Sequence, residues 1–362
     1  MIDLRVKVDP PPLDHPTVVR LRETFDGLPG PHDALLIDRA DDRREYDFCG
    51  FSLVVYGDAG MPLDNDVLLL APGQRSAARI IRASSAHNTL LITEQCDQLC
   101  VMCSQPPKKH HVDMFAQLET AASLAPAGAY IGISGGEPLL HKQALFSMLE
   151  NLAADRPDLR FHILSNGQHF EPDDVDRLVA IGPERILWGI PLYSPDPSNH
   201  DAIVGKVGAY HRLMRSMVLL MRSGAAVELR TVVLRQNWQE LPALAEQIAT
   251  RLPFIDRWAI MHLENIGYGR MNWHLSFKDT SSDFGMLGRA IDIATARDTT
   301  VTLYNFPLCS LPAAYRVLAP RTISDWKNKH EVFCDGCSAQ SDCGGFFQWY
   351  DHKNGFSRLG AL

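Results

Sequence analysis

The stretch Cys96-Asp-Gln-Leu-Cys100-Val-Met-Cys103 constrains this chain more tightly than any other part of it. Three thiolates spaced CxxxCxxC on one short loop, directly after the apolar run from Thr89 to Thr93, can hold three irons of a cubane cluster, because soft sulfur suits iron-sulfur chemistry. The loop can wrap a single face, and one iron is left open. Zinc normally closes its shell with four ligands, and a structural disulfide belongs to an exported chain. A zinc knuckle or unrelated thiols are the competing readings of the motif taken alone.

With 362 residues the chain has room for a large core plus one or two appendages. Its 46% hydrophobic and 22% charged content is that of an ordinary globular protein, without a repeat or low-complexity tract. A net charge of −8 argues against a protein built to grip a nucleic-acid backbone. No long apolar stretch follows the charges near Met1, so no export signal is expected, and runs such as Val67 to Pro72 or Met217 to Met221 are too short to cross a bilayer. A cytoplasmic protein with no membrane partner is expected. Seven of the eight cysteines fall in two metal-type groups, which fits a reducing compartment; Cys49 stands alone and reads as a small buried hydrophobe.

Residues 1–88 carry short apolar or alternating runs, Ala34 to Ile37, Phe51 to Tyr56, Val67 to Ala71 and Ala78 to Ile81, separated by Gly and Pro turns. They predict a small β-rich module, either a packing cap or a docking surface whose exposed strand edge accepts a peptide. From residue 89 strands alternate with amphipathic helices, as a parallel sheet with crossover helices requires. Strands are expected near Thr89 to Thr93, Ala129 to Ser134, Arg160 to Ser165, Ile186 to Tyr193, Val227 to Leu234 and Trp258 to Leu263. Helices are expected near Val112 to Ser123, Lys142 to Ala153, Pro172 to Ala180, Ala209 to Ser223 and Leu241 to Arg251. The fold class is therefore α/β, a partial (β/α)6 TIM-like barrel over residues 89–300, with its chemistry at the C-terminal ends of the strands. Residues 301–362 form a cysteine-bearing C-terminal domain.

Each further motif falls just after an expected strand. Gly135-Gly136-Glu137-Pro138 follows the second, where two glycines let the backbone approach a ligand closely and Glu137 offers a negative charge for an ammonium. Ser165-Asn166-Gly167 follows the third and reads equally as a plain Asn-Gly turn. Arg230 lies within the apolar fifth strand and needs an anion, either a ligand carboxylate or a neighbour such as Glu228. Asn265-Ile-Gly-Tyr-Gly269 follows the sixth. Beyond the barrel, Cys309, Cys334, Cys337 and Cys343 supply four ligands for a second metal site, zinc or iron-sulfur, and Gly344-Gly345 lets backbone N–H groups reach the sulfurs.

The three-cysteine loop with its Cys-Ser-Gln-Pro-Pro extension, the GGEP turn and the tail Cys334-Asp-Gly-Cys-Ser-Ala-Gln-Ser-Asp-Cys343 resemble radical S-adenosylmethionine (SAM) enzymes, and among them the C-type maturase of the His-Xaa-Ser peptide system. The resemblance covers most of the chain from about residue 75 onward. It implies that SAM chelates the open iron of a 4Fe-4S cluster on Cys96, Cys100 and Cys103. It also implies that Gly135, Gly136, Glu137 and Pro138 receive the SAM amino group, Ser165 and Asn166 its ribose, Arg230 its carboxylate, and the 265–269 turn its adenine. Cys309, Cys334, Cys337 and Cys343 would hold a second, auxiliary 4Fe-4S cluster in a single-cluster domain. The implied partners are a precursor peptide with His-Xaa-Ser repeats, a second radical SAM maturase and an external electron donor. Two features depart from the pattern: Met102 stands where many members carry an aromatic residue, and four tail cysteines replace the seven of the fuller auxiliary domain. A small-molecule or nucleotide substrate, and a non-catalytic iron-sulfur scaffold, are the alternatives.

Overall fold

The computed structural model describes residues 4–24 and 27–362. Seven strands, β1 (Arg5–Asp9), β2 (Thr17–Arg22), β3 (Asp33–Arg39), β4 (Arg43–Phe48), β5 (Phe51–Tyr56), β6 (Val67–Leu70) and β7 (Ser76–Ile81), close into a barrel in the order β1-β5-β4-β3-β2-β6-β7. Neighbours are antiparallel except for the parallel pair β2 and β3. Alternation fills the interior: Val6 and Val8, Val19 and Leu21, Tyr46 and Phe48, and Leu53 and Val55 share one buried cluster.

Four of these strands match the expected runs. β4 was hidden because its inward position Arg44 is a charge, buried to 2% exposure by an ion pair with Glu23 at 2.9 Å and by the carbonyls of Ala59 and Met61, each at 2.8 Å. Two expectations fail here. The exposed edge for peptide addition is absent among these seven strands, since closure pairs every one of them on both sides. Cys49 is exposed rather than buried: with Gly50 it makes the two-residue turn between β4 and β5, both at positive φ (54° and 83°), as a type I′ hairpin requires.

A second sheet comprises β8 (Asn88–Thr93), β9 (Tyr130–Gly135), β10 (Arg160–Leu164), β11 (Ile186–Pro191), β12 (Ala226–Val232), β13 (Arg257–Met261) and β14 (Val301–Tyr304), in the order β14-β13-β12-β11-β10-β9-β8. Each strand neighbours the next in sequence, and β11 through β14 pair in parallel, the pattern of an unrolled βα barrel. The six expected strands are found to within two residues, and β14 adds a seventh. The helices are α1 (Phe115–Ser123), α2 (Lys142–Asp155), α3 (Asp174–Ile181), α4 (Pro197–Val204), α5 (Ala209–Arg222), α6 (Leu241–Arg251), α7 (Gly267–Met271), α8 (Trp273–Ser276) and α9 (Gly285–Thr295). Short strands β15 (Asn328–Lys329) and β16 (Phe346–Phe347) pair antiparallel near the C-terminus.

The chain forms two compact units: residues 1–92, 112–134 and 141–162 in one, and 93–111, 135–140 and 163–362 in the other. In the first, α1 buries Phe115, Leu118, Ala121 and Ala122 and packs on α2, β2 and β7. The second contains both cysteine groups and its own apolar cluster around Met102, Leu263, Phe277, Phe346 and Phe356. Among the described residues no helix is long and apolar enough to cross a membrane.

Candidate active site

The second unit folds the CxxxCxxC loop by borrowing hydrogen-bond partners from four places. The amides of Leu99 and Val101 donate to the carbonyls of Val204 and Ile203, each at 3.0 Å, so the C-terminal end of α4 finds in this loop the donors its last turn lacks. Gly136 donates to Thr93 (2.8 Å) and Glu137 to Gln95 (2.7 Å), laying the GGEP turn along the entry to the loop. The exit is fixed by Tyr268, whose amide reaches the Cys103 carbonyl at 2.8 Å, and by Asn272, whose side-chain amide reaches Val101 O at 2.8 Å. The glycines are needed for this contact: a Cβ on Gly136 would sit 2.1 Å from Gln95 O and 2.9 Å from Cys96 Cβ, and one on Gly135 would sit 2.7 Å from Thr93 O.

The three thiols face one another within this frame. Burial pushes the Cys96 thiol up to about 11 and raises Cys103 as well. Cys100 is pushed higher still, first by burial and then by the proximity of Cys103 and Cys96. As free thiols they stay protonated, with Cys100 donating to Gln98 Oε1 (3.4 Å) and Cys103 to Gln105 O (3.0 Å). A soft metal would displace those protons and relieve the mutual repulsion. Among the described residues no three His, Cys, Asp or Glu side chains form a group able to hold a single metal ion; a cubane does not ask for that, because each thiolate ligates a different iron. The donor set fits an iron-sulfur cluster with three protein ligands.

Around it, Glu137 is fully buried and accepts from Leu139 N (2.8 Å), Ser165 Oγ (2.8 Å) and Asn166 N (2.5 Å). Burial raises its carboxyl despite these donors. A carboxylate has about four acceptor positions, so one remains for a further N–H. Ser165 and Asn166 thus spend groups inside the chain: Ser165 on Glu137, and Asn166 through its side-chain amide on Asp97 at 2.8 Å. Arg230 is paired with Glu228, the neighbour named as its alternative, and lies 5.7 Å from the centre of the Tyr304 ring. Met102 is buried in the apolar cluster and Pro138 in the short turn that follows Glu137.

Sequence reasoning missed Asp97, Lys206, His169 and Tyr193. Asp97, inside the cysteine motif, pairs with Lys206 and with His169 Nε2 at 2.9 Å; burial alone would raise its carboxyl, but the hydrogen bonds from His169 and Lys206 hold it well below the usual range. The signal was available, since a carboxylate between two cluster-type cysteines needs a counter-charge. Tyr193 is half-buried, packed on the apolar cluster near Cys100 and Cys103, and burial followed by Cys100 raises its hydroxyl against the lowering effect of Arg230.

The four C-terminal cysteines line one pocket of about 310 Å³ with His330, Phe333 and Phe346. Backbone amides cap their sulfurs: Leu308 and Gly345 donate to Cys343 Sγ at 3.4 and 3.3 Å, and Leu362 to Cys337 Sγ at 3.3 Å. Burial raises Cys309 and Cys334, while the amides of Leu362 and Ala339 lower Cys337. Two buried and two half-buried thiols gathered with N–H donors on their sulfurs suit a metal-sulfur centre.

Residues 90–248 match the family model of the Radical SAM superfamily. Curated relatives include PqqA peptide cyclase of Granulibacter bethesdensis (24% identical, covering 50% of this chain and 48% of that protein) and pre-heme d1 synthase of Dinoroseobacter shibae (29%, covering 46% and 38%). A third is the antilisterial bacteriocin subtilosin biosynthesis protein AlbA of Bacillus subtilis (25%, covering 49% and 41%). The chain spans less than half the length of each. Among solved structures, Streptococcus suis SuiB is 16% identical with a TM-score of 0.49, covering 61% of this chain and 49% of SuiB.

Proposed function

We propose, on the premise that residues 90–248 of this chain match the Radical SAM superfamily, that the protein is a radical SAM enzyme that modifies a ribosomally made precursor peptide of the His-Xaa-Ser type. The observation that carries this reading is the closeness of Cys96, Cys100 and Cys103 on one half-buried loop with the GGEP turn hydrogen-bonded along it. Cys96, Cys100 and Cys103 would hold a 4Fe-4S cluster, and the chemistry that such a cluster would supply with SAM is one-electron reductive cleavage to start radical chemistry on the peptide.

The chain's own residues hold and position. Cys96, Cys100 and Cys103 would hold the cluster, Asp97 clasped by Lys206 and His169 fixes the loop between them, and Glu137 keeps one acceptor position for the SAM ammonium. The ribose and carboxylate roles of Ser165, Asn166 and Arg230 require these groups to share donors they already use. Cys309, Cys334, Cys337 and Cys343 would hold an auxiliary cluster. A second radical SAM maturase, an external electron donor and a cytoplasmic setting complete the proposal. Two relatives, a PqqA peptide cyclase and a bacteriocin subtilosin biosynthesis protein, favour a peptide substrate. Pre-heme d1 synthase among the relatives favours a second reading, a small-molecule substrate.

The test is mass spectrometry of the precursor co-produced with this protein, with and without the second maturase, and with Cys100→Ala. A mass change that needs Cys100 is expected. An unmodified precursor under all conditions, with 5′-deoxyadenosine still formed on a small molecule, would favour the second reading.

A further inference from the structure

Residues 356–362 run without helix or strand, and two of them, Gly360 and Leu362, line the pocket of Cys309, Cys334, Cys337 and Cys343. The segment presents two sides: Phe356 is buried and Leu359, Gly360 and Leu362 are half-buried, whereas Ser357, Arg358 and Ala361 are exposed. It has no ladder of its own to hold it, so its position is set by what it touches at each end.

The near end is pinned. Phe356 belongs to the buried cluster of Phe277 and Phe346, and its amide donates to Tyr350 Oη at 3.0 Å. Asp279 accepts from the Ser357 amide at 3.0 Å and from the Ser357 hydroxyl at 2.5 Å, and Ser281 Oγ accepts from the Arg358 amide at 3.0 Å. Burial would raise the Asp279 carboxyl, but the hydrogen bonds from Ser281 and Ser357 hold it down at about 2, so it is an ionised acceptor.

The far end is aimed at sulfur. The Leu362 amide reaches Cys337 Sγ at 3.3 Å, and Leu362 O accepts from the amide and hydroxyl of Ser338 at 3.0 and 2.8 Å. The main chain at Gly360 bears on Cys309, opposing the rise that burial causes there. One segment thus serves two of the four cysteines. A thiol sulfur is a weak acceptor, whereas a metal-bound thiolate is a charged one and holds an N–H more strongly. The grip on the far end therefore depends on whether the pocket is filled.

We propose that residues 356–362 are a strap that locks on the four-cysteine metal centre: filling the pocket displaces the thiol protons to solvent, the resulting thiolates hold the strap's amides, and the held strap slows release of the metal. The proposal rests on the reading above that these cysteines hold a metal-sulfur centre, and deepens it by naming what keeps the metal in place. Leu362 and Asp279 are positioning residues in this scheme, and neither is a ligand.

The test is release of metal to excess chelator from the full-length, metal-loaded protein carrying Cys96→Ala, Cys100→Ala and Cys103→Ala, so that only the second centre is read. Leu362→Pro removes the N–H on Cys337 and is expected to speed release about tenfold, the loss of one hydrogen bond to a charged sulfur. Leu362→Ala keeps that N–H and should release at the parent's rate. Asp279→Ala unpins the near end and should also speed release. In the parent, hydrogen exchange at the amides of residues 360–362 should slow once metal is bound. Equal release by the parent and Leu362→Pro, release by Leu362→Ala as fast as by Leu362→Pro, or exchange at residues 360–362 unmoved by metal would each overturn the strap. A parent that binds no metal overturns the four-cysteine reading and the strap with it, whereas metal held with one release rate in every variant removes the strap alone.

Discussion

Gly136 shows how much of the candidate site is decided by single atoms. Its glycine character is legible in the sequence, but the expected reason was closeness to a ligand; the structure gives closeness to Gln95 and Cys96 of the chain itself. Gly136→Ala places a methyl against main chain that cannot rotate away, so a cost of about 1–3 kcal/mol is expected. Iron content per chain should fall together with the melting temperature. Gly60→Ala, where a Cβ meets nothing within 4 Å, should stay within about 0.5 kcal/mol of the parent. Equal behaviour of the two variants would show that the GGEP turn does not bear on the cysteine loop. Asp97 teaches the complementary lesson: its type and position were visible, but Lys206, more than a hundred residues away, was not, because a sequence shows a charge without showing its partner.

At the scale of elements, the six strands and five helices with clear apolar periodicity were legible, and the misses have physical causes. α4 reads Pro-Ser-Asn-His-Asp-Ala-Ile-Val, whose apolar residues gather at one end, so no periodic stripe announces it. Its start signal was present: Asp196 caps the helix by accepting from Ser198 N (3.2 Å) and Asn199 N (3.3 Å), with Pro197 at the first turn. β14 escaped because four residues are too few to show alternation. The consequence of α4 is functional, since its last carbonyls hold Leu99 and Val101. Asp196→Ala should cost about 1 kcal/mol and speed hydrogen exchange at the Leu99 and Val101 amides more than at amides of α6. Unchanged protection at those two amides would mean that the loop holds its form without the helix.

For the whole molecule, buried histidines set the response to acid. His200 and His262 are each pushed down by burial, to about 4 against 6.5 for an unfolded chain. Between those values the unfolded chain binds protons that the native one refuses. The contribution of these histidines is therefore full above about pH 6.5, declines as pH falls toward about 4, and levels off below, with a total cost of about 3 kcal/mol per histidine. Denaturant unfolding at pH 7 and pH 5 measures this directly. His200→Gln, which retains an acceptor for the Tyr193 amide, should flatten the decline. A decline as steep as the parent's would remove His200 from this account.

The seven-stranded ring near the N-terminus has a consequence of its own. A hoop without loose ends gives foreign backbone nothing to zip onto, so copies of this protein cannot grow into fibres through it. Any guest it welcomes must be told apart letter by letter, through side chains and turns, rather than gripped indifferently by its peptide spine.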